Sequence, residues 1–338
     1  MKVAWFRRFG GPEVLMYEDA PDPEPAPGEV LVRVRAAGIN HVDLDVRAGV
    51  SRFPVSFPHI LGLEYAGEVA AVREPASSLK EGDRVWVSTR VPCESCEYCR
   101  TGRDNLCRVG PRVPGGYCEL VSVPASCVHP LPDNASFDDA AAAQVAFGTA
   151  WHVLMTRAGL RAGDTVLIQA AGSGIGSAGI QVAHLAGARV ITTASSDEKL
   201  RRALDLGADH TINYTQEDFP ERVRELTGGK GVDVVMEHIG GEVFTKSLEC
   251  LKRDGVIITV GGHSGEVVPF DIIPFFRSEH RLIGSASWTR HELNKVMEMV
   301  FAGTLRPVIH QAMLLSQAAE AHRLVDSRDF SGKVLLNP

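Results

Sequence analysis

The chain has no apolar run approaching the roughly 20 residues of a membrane-spanning helix. Its opening, MKVAWFRRFGGPEV, holds neither a long apolar region nor a cleavage site. No sign of secretion is present, and a cytoplasmic protein is the expectation. An excess of basic residues is also lacking: 35 Lys and Arg stand against 42 Asp and Glu, a formal net charge of -7. That balance leaves no electrostatic footprint for nucleic acid or an anionic membrane, so neither is expected as a partner. The seven cysteines are an odd number without a secretory signal, which argues for a reducing compartment rather than a disulfide framework. There is no internal repeat and no low-complexity tract. What remains, 338 residues at 44% hydrophobic and 23% charged, is globular material for one large or two moderate domains.

Residues 164–194 read DTVLIQAAGSGIGSAGIQVAHLAGARVITTA. An apolar run (Val166, Leu167, Ile168) leads into a glycine-rich turn, a helical pattern with Ile175, Ala178, Val182 and Leu185 on one face, and a second apolar run. This is strand, turn, helix, strand. The glycines let the backbone bend sharply and let a pyrophosphate approach amides at the positive end of the helix. Ala171, Gly172, Ser173, Gly174, Ile175 and Gly176 therefore form the expected dinucleotide turn. The second strand ends Thr192-Thr193-Ala194-Ser195-Ser196, without the carboxylate that accepts from ribose hydroxyls in NAD sites. Ser195 and Ser196, followed by Lys199, suit a ribose 2′-phosphate, and NADPH is favoured over NADH although Asp197 and Glu198 lie just beyond.

Four of the seven cysteines are packed into the segment VPCESCEYCRTGRDNLC: Cys93, Cys96, Cys99 and Cys107. Four thiolates held by tight turns close a tetrahedral shell around Zn²⁺ and leave no position for water or substrate. The expectation is one structural Zn²⁺ per chain, ordering a polar lobe of about residues 91–110 that burial could not order. Two local disulfides and free thiols are the alternatives; an iron–sulfur cluster is a further one, for which a single cluster in this lobe has no evident electron partner.

Along the chain, residues 2–87 and 115–123 are strand-rich, with a short helix over 40–49. From residue 164 strands and helices alternate regularly, which predicts a doubly wound parallel sheet. Helices are predicted over 293–301 and 317–325, and a last strand over 333–336.

The order of these parts, with AAGINHVD (36–43), ILGLEYAG (60–67), the four-cysteine lobe, GGYCE (115–119) and the glycine turn, resembles the medium-chain dehydrogenase/reductase superfamily over nearly the whole chain. The resemblance implies an α/β protein, with a Rossmann dinucleotide-binding domain over 129–286 and a GroES-like β-rich catalytic domain formed by 1–128 and 287–338. In the zinc branch of that superfamily three residues hold a catalytic metal. Here their places are taken by Asn40, Leu63 and, in AAAQVAFGTAW, Val145. Leu and Val carry no lone pair, and an amide is a poor zinc ligand. The hydroxyl that relays the alcohol proton is replaced by Val42.

The reaction centre thus resembles that of the quinone oxidoreductases, while the structural zinc lobe is kept. Without a metal, a saturated carbonyl is not strongly polarised. A quinone or an α,β-unsaturated carbonyl delocalises the incoming charge onto oxygen, so positioning and a hydrogen-bond donor suffice. The resemblance places Asn40 beside the nicotinamide as that donor, with water or His41 as the proton source. It also places Lys199 and Tyr214 around the 2′-phosphate, Arg328 on the phosphates and Gly261 at the nicotinamide end. It implies a small-molecule quinone, enone or aldehyde as substrate. It implies a homodimer paired through residues 281–285, with tetramers known among relatives. Two other readings stay open: a zinc-dependent alcohol dehydrogenase with an atypical metal site near His41 and His59, and an NADPH-binding redox sensor or structural protein without turnover.

Overall fold

The computed structural model describes residues 1–74, 79–88, 90–110 and 113–338. By packing, the chain divides into two compact units, one made of Met1–Val145 with Met297–Pro338 and the other of Ala146–Val296. The sequence expectation puts the changes of domain near residues 128 and 286. The packing division falls instead inside two helices, whose continuity hides it from any composition-based reading.

The first unit opens with β1 (Lys2–Phe6), β2 (Met16–Asp19) and β3 (Glu29–Gly38). In β3 buried Val30, Val32 and Val34 alternate with exposed Arg33 and Arg35, the period of a strand with one face on a core. Next come α1 (His41–Ala48), β4 (His59–Ile60), β5 (Glu64–Val72) and β6 (Arg84–Ser88). The cysteine lobe contributes the single turn α2 (Glu97–Arg100), and β7 (Leu120–Pro124) and β8 (Val128–Pro130) follow. The helix α3 (Phe137–Trp151) begins in this unit; its residues from Ala146 on, and the π-helical segment His152–Ala158 that follows, belong to the second.

The second unit alternates as expected. Its elements are β9 (Thr165–Ile168), α4 (Gly174–Leu185), β10 (Arg189–Ala194), α5 (Asp197–Asp205), β11 (His210–Asn213), α6 (Phe219–Leu226) and β12 (Val232–Glu237). They continue with α7 (Gly241–Leu248), β13 (Leu251–Thr259), α8 (Ile272–Arg277), β14 (Arg281–Gly284) and α9 (Arg290–Phe301), of which the residues from Met297 on belong to the first unit. The strands form one sheet in the order β11-β10-β9-β12-β13-β14, every pairing parallel. That is the doubly wound dinucleotide order, whose crevice opens at the carboxyl ends of the strands where the winding reverses, here beside β9. Val166, Leu167 and Ile168 of β9 are fully buried, as a central strand covered on both faces requires.

The tail returns to the first unit. β15 (Ile309–Leu314) pairs parallel with β16 (Lys333–Asn337), and α10 (Ala318–Ser327) lies between them in sequence. β16 adds antiparallel to β3, with Leu335 opposite Gly38 and Leu336 opposite Ala37, so the sheet runs β15-β16-β3-β5-β6-β8. α10 is tied to α1 by buried polar groups: Arg47 donates to His322 Nδ1 at 2.9 Å, and His322 Nε2 lies 3.3 Å from the Tyr117 hydroxyl. Sequence reading missed β15 and α8. Neither has a fully buried residue, so neither shows the periodicity that marks an element packed on a core.

Candidate active site

In the first unit the chemistry gathers where β3 hands over to α1. Asn40 is the N-cap of α1. The backbone does the capping: Asn40 N–H donates to Asp43 Oδ2 at 2.8 Å, and its carbonyl accepts from Asp43 N–H at 2.9 Å. The Asn40 side chain is thereby released for other partners. Its Nδ2 donates to Glu64 Oε1 at 3.0 Å, and its Oδ1 accepts from Lys333 Nζ at 2.7 Å. Lys333 Nζ also donates to Ile39 O at 2.7 Å and to Glu64 Oε1 at 2.5 Å. The remaining oxygen of Glu64 accepts from Val145 N–H at 2.8 Å. Glu64 and Lys333 are both buried. The whole cluster is therefore a satisfied ionic network, the condition under which buried charge is tolerated.

Asp43 lies beside it, fully buried, its Oδ1 accepting from Gly62 N–H at 3.1 Å. Burial pushes its carboxyl up to about 7, against the opposing pull of the Asn40 and Gly62 amides and of Lys333.

The places that hold a metal in the zinc branch take other roles. Leu63 is 39% exposed and Val145 contributes its backbone N–H to Glu64. His41 begins α1 half-buried, and the His59 ring meets Phe6 edge-on at 5.6 Å. Among the described residues, one group of three or more His, Cys, Asp or Glu side chains converges closely enough to hold a metal, and neither histidine belongs to it.

That group is Cys93, Cys96, Cys99 and Cys107, whose sulfurs all lie within 4.8 Å of one another. Cys93 and Cys99 Sγ are 3.9 Å apart, Cys96 and Cys99 Sγ 3.5 Å. These spacings are far beyond a disulfide bond and near the roughly 3.8 Å edge of a tetrahedron built on Zn–S bonds of about 2.3 Å. Backbone N–H groups point at two of the sulfurs, Cys96 N–H to Cys93 Sγ at 3.3 Å and Cys93 N–H to Cys107 Sγ at 3.5 Å, the surroundings a thiolate needs. The donor set fits Zn²⁺.

In the second unit the glycine turn sits at the carboxyl end of β9. Ala170 adopts φ 53°, the left-handed conformation more often given to glycine. The turn is moored to β10 by Ala171 N–H donating to Thr193 O at 2.8 Å. Ser173 caps α4, its hydroxyl accepting from Gly176 N–H at 2.9 Å, and Gly174 and Ile175 form the first turn that follows. Helix N-termini present amides without intrahelical partners, which is the chemistry a pyrophosphate needs.

Lys199 reaches back over this turn: a β-carbon at Gly172 would stand 2.8 Å from Lys199 Cδ. Ser195 follows β10 and Ser196 caps α5, accepting from Lys199 N–H at 3.4 Å. The two nearby acids are engaged elsewhere, Asp197 with Asn213 Nδ2 at 3.0 Å and Glu198 with Arg202 at 2.9 Å. Tyr214 is 50% exposed beside Ala194, to whose carbonyl its N–H donates. Gly261 approaches the end of β12 so closely that a β-carbon there would stand 2.7 Å from His238 O. Arg328 belongs to the first unit, where it ends α10 in the left-handed conformation.

Two contributors escaped the sequence reading. Lys333 sits in the tail motif SGKVLL, with nothing beside it to mark its partners. His238 follows β12, its Nε2 3.2 Å from Ser173 Oγ, and the His-Ile-Gly-Gly run after a buried strand is its signal in the sequence.

Comparison with known proteins agrees with this anatomy. Residues 26–133 match the alcohol dehydrogenase GroES-like domain and residues 174–302 the zinc-binding dehydrogenase family. A quinone oxidoreductase of Pseudomonas aeruginosa is 35% identical over 98% of each chain. The structure of an NAD-dependent alcohol dehydrogenase superposes with a TM-score of 0.94 at 41% identity over the whole of both chains. That of the Escherichia coli quinone oxidoreductase complexed with NADPH superposes at 0.86 and 30%, again over both whole chains. The chain belongs to the medium-chain dehydrogenase/reductase superfamily, in its quinone oxidoreductase-like branch. It is an NAD(P)H-dependent oxidoreductase of that type. No helix among the described residues is long and apolar enough to cross a membrane.

Proposed function

We propose that the protein transfers hydride from NADPH to a quinone or an α,β-unsaturated carbonyl without a catalytic metal, and that the four-cysteine lobe holds one structural Zn²⁺. The observation that carries the reading is the Asn40 side chain, diverted from capping α1 and held between Lys333 and Glu64. Nicotinamide supplies the hydride when bound. Asn40 Nδ2 has two N–H groups and gives one to Glu64, which leaves one for an acceptor's carbonyl oxygen as that oxygen gains charge. Water supplies the closing proton, with His41 as the alternative.

Ser173, Gly174, Ile175 and Gly176 receive the pyrophosphate and Gly261 lies at the nicotinamide end. Lys199, Ser195, Ser196 and Tyr214 take the 2′-phosphate, which the engagement of Asp197 and Glu198 by other residues supports. Arg328 completes the phosphate contacts. The edge strand β14, with Leu282 45% exposed, is the proposed pairing edge of a homodimer.

The test is steady-state oxidation of NADPH and of NADH by the purified protein against quinones, enones, aldehydes and alcohols. Turnover confined to quinones or enones, with NADPH preferred, is the expected result. Oxidation of simple alcohols would instead favour a metal-assisted alcohol dehydrogenase, the reading that similarity to the NAD-dependent alcohol dehydrogenase supports. Tight NADPH binding without any acceptor would favour a sensor.

A further inference from the structure

The Lys333 ammonium has three N–H groups, and three protein oxygens accept them: Ile39 O, Asn40 Oδ1 and Glu64 Oε1. None is left for substrate, so Lys333 does not act on the acceptor directly. Its effect passes through Asn40. A group that only donates stands at the amide oxygen, and a carboxylate that only accepts stands at the amide nitrogen. Rotating the carboxamide by half a turn would set its NH₂ against the ammonium and its oxygen against the carboxylate. The pair therefore fixes which end of Asn40 is the donor.

The same geometry alters how well Asn40 donates. A cation at a carboxamide oxygen draws electron density from the nitrogen, so the remaining N–H becomes a stronger donor toward an oxygen that is gaining negative charge. Placing a lysine there is costly, since an ammonium taken from water must recover its hydration from fixed partners. The tail strand β16 delivers it: Leu335 and Leu336 pair with Gly38 and Ala37 at the end of β3, which puts Lys333, two residues earlier, beside Ile39 and Asn40. Glu64, which shares its Oε1 between Lys333 and Asn40, locks the triangle.

We propose that Lys333 is the positioning residue of the reaction centre, holding the Asn40 carboxamide in its donating orientation and polarising it for the substrate carbonyl. The inference rests on the proposed role of Asn40. Its test compares Asn40→Ala, Lys333→Gln and the pair of both with the parent, in steady-state turnover of NADPH and a small quinone and in NADPH binding by fluorescence.

The expected result is a kcat lowered about tenfold or more in Lys333→Gln, with the NADPH Kd changed less than about threefold and Lys333→Arg recovering part of the loss. In the Asn40→Ala background, Lys333→Gln lowers kcat by no more than about twofold further, because its effect has no route left. Additive losses, or a loss confined to NADPH binding, overturn the proposal. An Asn40→Ala protein with undiminished turnover overturns the role of Asn40 itself and the proposal with it. Should Lys333→Gln fail to fold, the double variant Glu64→Gln/Lys333→Met removes both charges together and leaves neither unpaired. Its kcat is expected to fall as in Lys333→Gln, and parental turnover in it overturns the proposal.

Discussion

His238 Nε2 and Ser173 Oγ stand 3.2 Å apart and join the loop after β12 to the glycine turn after β9. Ser173 serves two ends at once, since the same oxygen accepts from Gly176 N–H at the start of α4. Gly261 packs against the His238 carbonyl from the end of β13. Three strand ends of the parallel sheet are thus drawn together where a dinucleotide lies in folds of this order.

Removing the Ser173 hydroxyl should therefore cost both stability and cofactor affinity. Ser173→Ala is expected to lose about 1 kcal/mol of stability, the usual worth of an N-cap, whereas Ser173→Gly loses only a few tenths. NADPH Kd should rise in both, because both lose the His238 link. Thermal melts with and without NADPH, with a fluorescence titration, check the two effects separately. Equal melting temperatures for the alanine and glycine variants would refute the capping role.

Lys199 decides cofactor choice in the proposed site. Its stem crosses Gly172, and both neighbouring acids are held by other residues, which suits its ammonium to the expected 2′-phosphate. Lys199→Ala should lower the ratio of kcat/KM for NADPH over NADH by about tenfold, one charge-assisted contact being worth about 1.4 kcal/mol or more. The NADH value itself should barely move. A ratio unchanged by the substitution would place the phosphate elsewhere.

The parts of this protein that lie close together in sequence were legible in it. The glycine turn with its flanking strands, Thr165 to Ala194, and the four cysteines, Cys93 to Cys107, each declare themselves within one short stretch of sequence, because a dinucleotide turn needs a local bend and a zinc lobe a local ligand set. The parallel sheet was legible from apolar runs alternating with helical patterns. Asn40 was legible as the residue standing where the zinc branch of the superfamily has a metal ligand. Its partner was not: Lys333 lies 293 positions away, and a lysine opening a terminal strand carries no mark of burial. Arg47 and His322, 275 positions apart, were hidden for the same reason. The division of the chain inside α3 and α9 was hidden too, since a continuous helix gives no compositional sign of where its packing partners change.

The cysteine lobe predicts a stoichiometry. Protein purified without added metal and dialysed exhaustively should contain one zinc per chain by elemental analysis. Cys99→Ser should reduce this below one and lower the melting temperature, because the lobe contains one four-residue helix and one short turn of 3-10 helix with little burial to hold them. Two zinc per chain would mean that a second site exists near Asn40 and would turn the search toward alcohols and aldehydes.

The last prediction concerns acid. His322 is fully buried, accepts from Arg47 at Nδ1, and is pushed down to about 3, by burial first and by the Arg47 charge second. In the unfolded chain it titrates near 6.5, so between about 3 and 6.5 the unfolded state holds a proton that the folded state does not. Its contribution is complete above about 6.5 and is lost as pH falls toward 3, at about 1.4 kcal/mol per pH unit. Asp43 works in the opposite sense. Burial raises it to about 7, so between about 4 and 7 the folded state holds the extra proton, and stability falls as pH rises, at a similar rate. From about pH 4 to 6.5 the two slopes offset each other. His322→Gln, whose carboxamide can still accept from Arg47 and donate to Tyr117, should uncover the Asp43 slope. Relative to the parent, its stability should decline by about one proton's worth per pH unit as pH rises across that window, measured by urea unfolding at half-unit steps. Parallel curves for the two proteins would show that His322 is not held neutral by its burial beside Arg47.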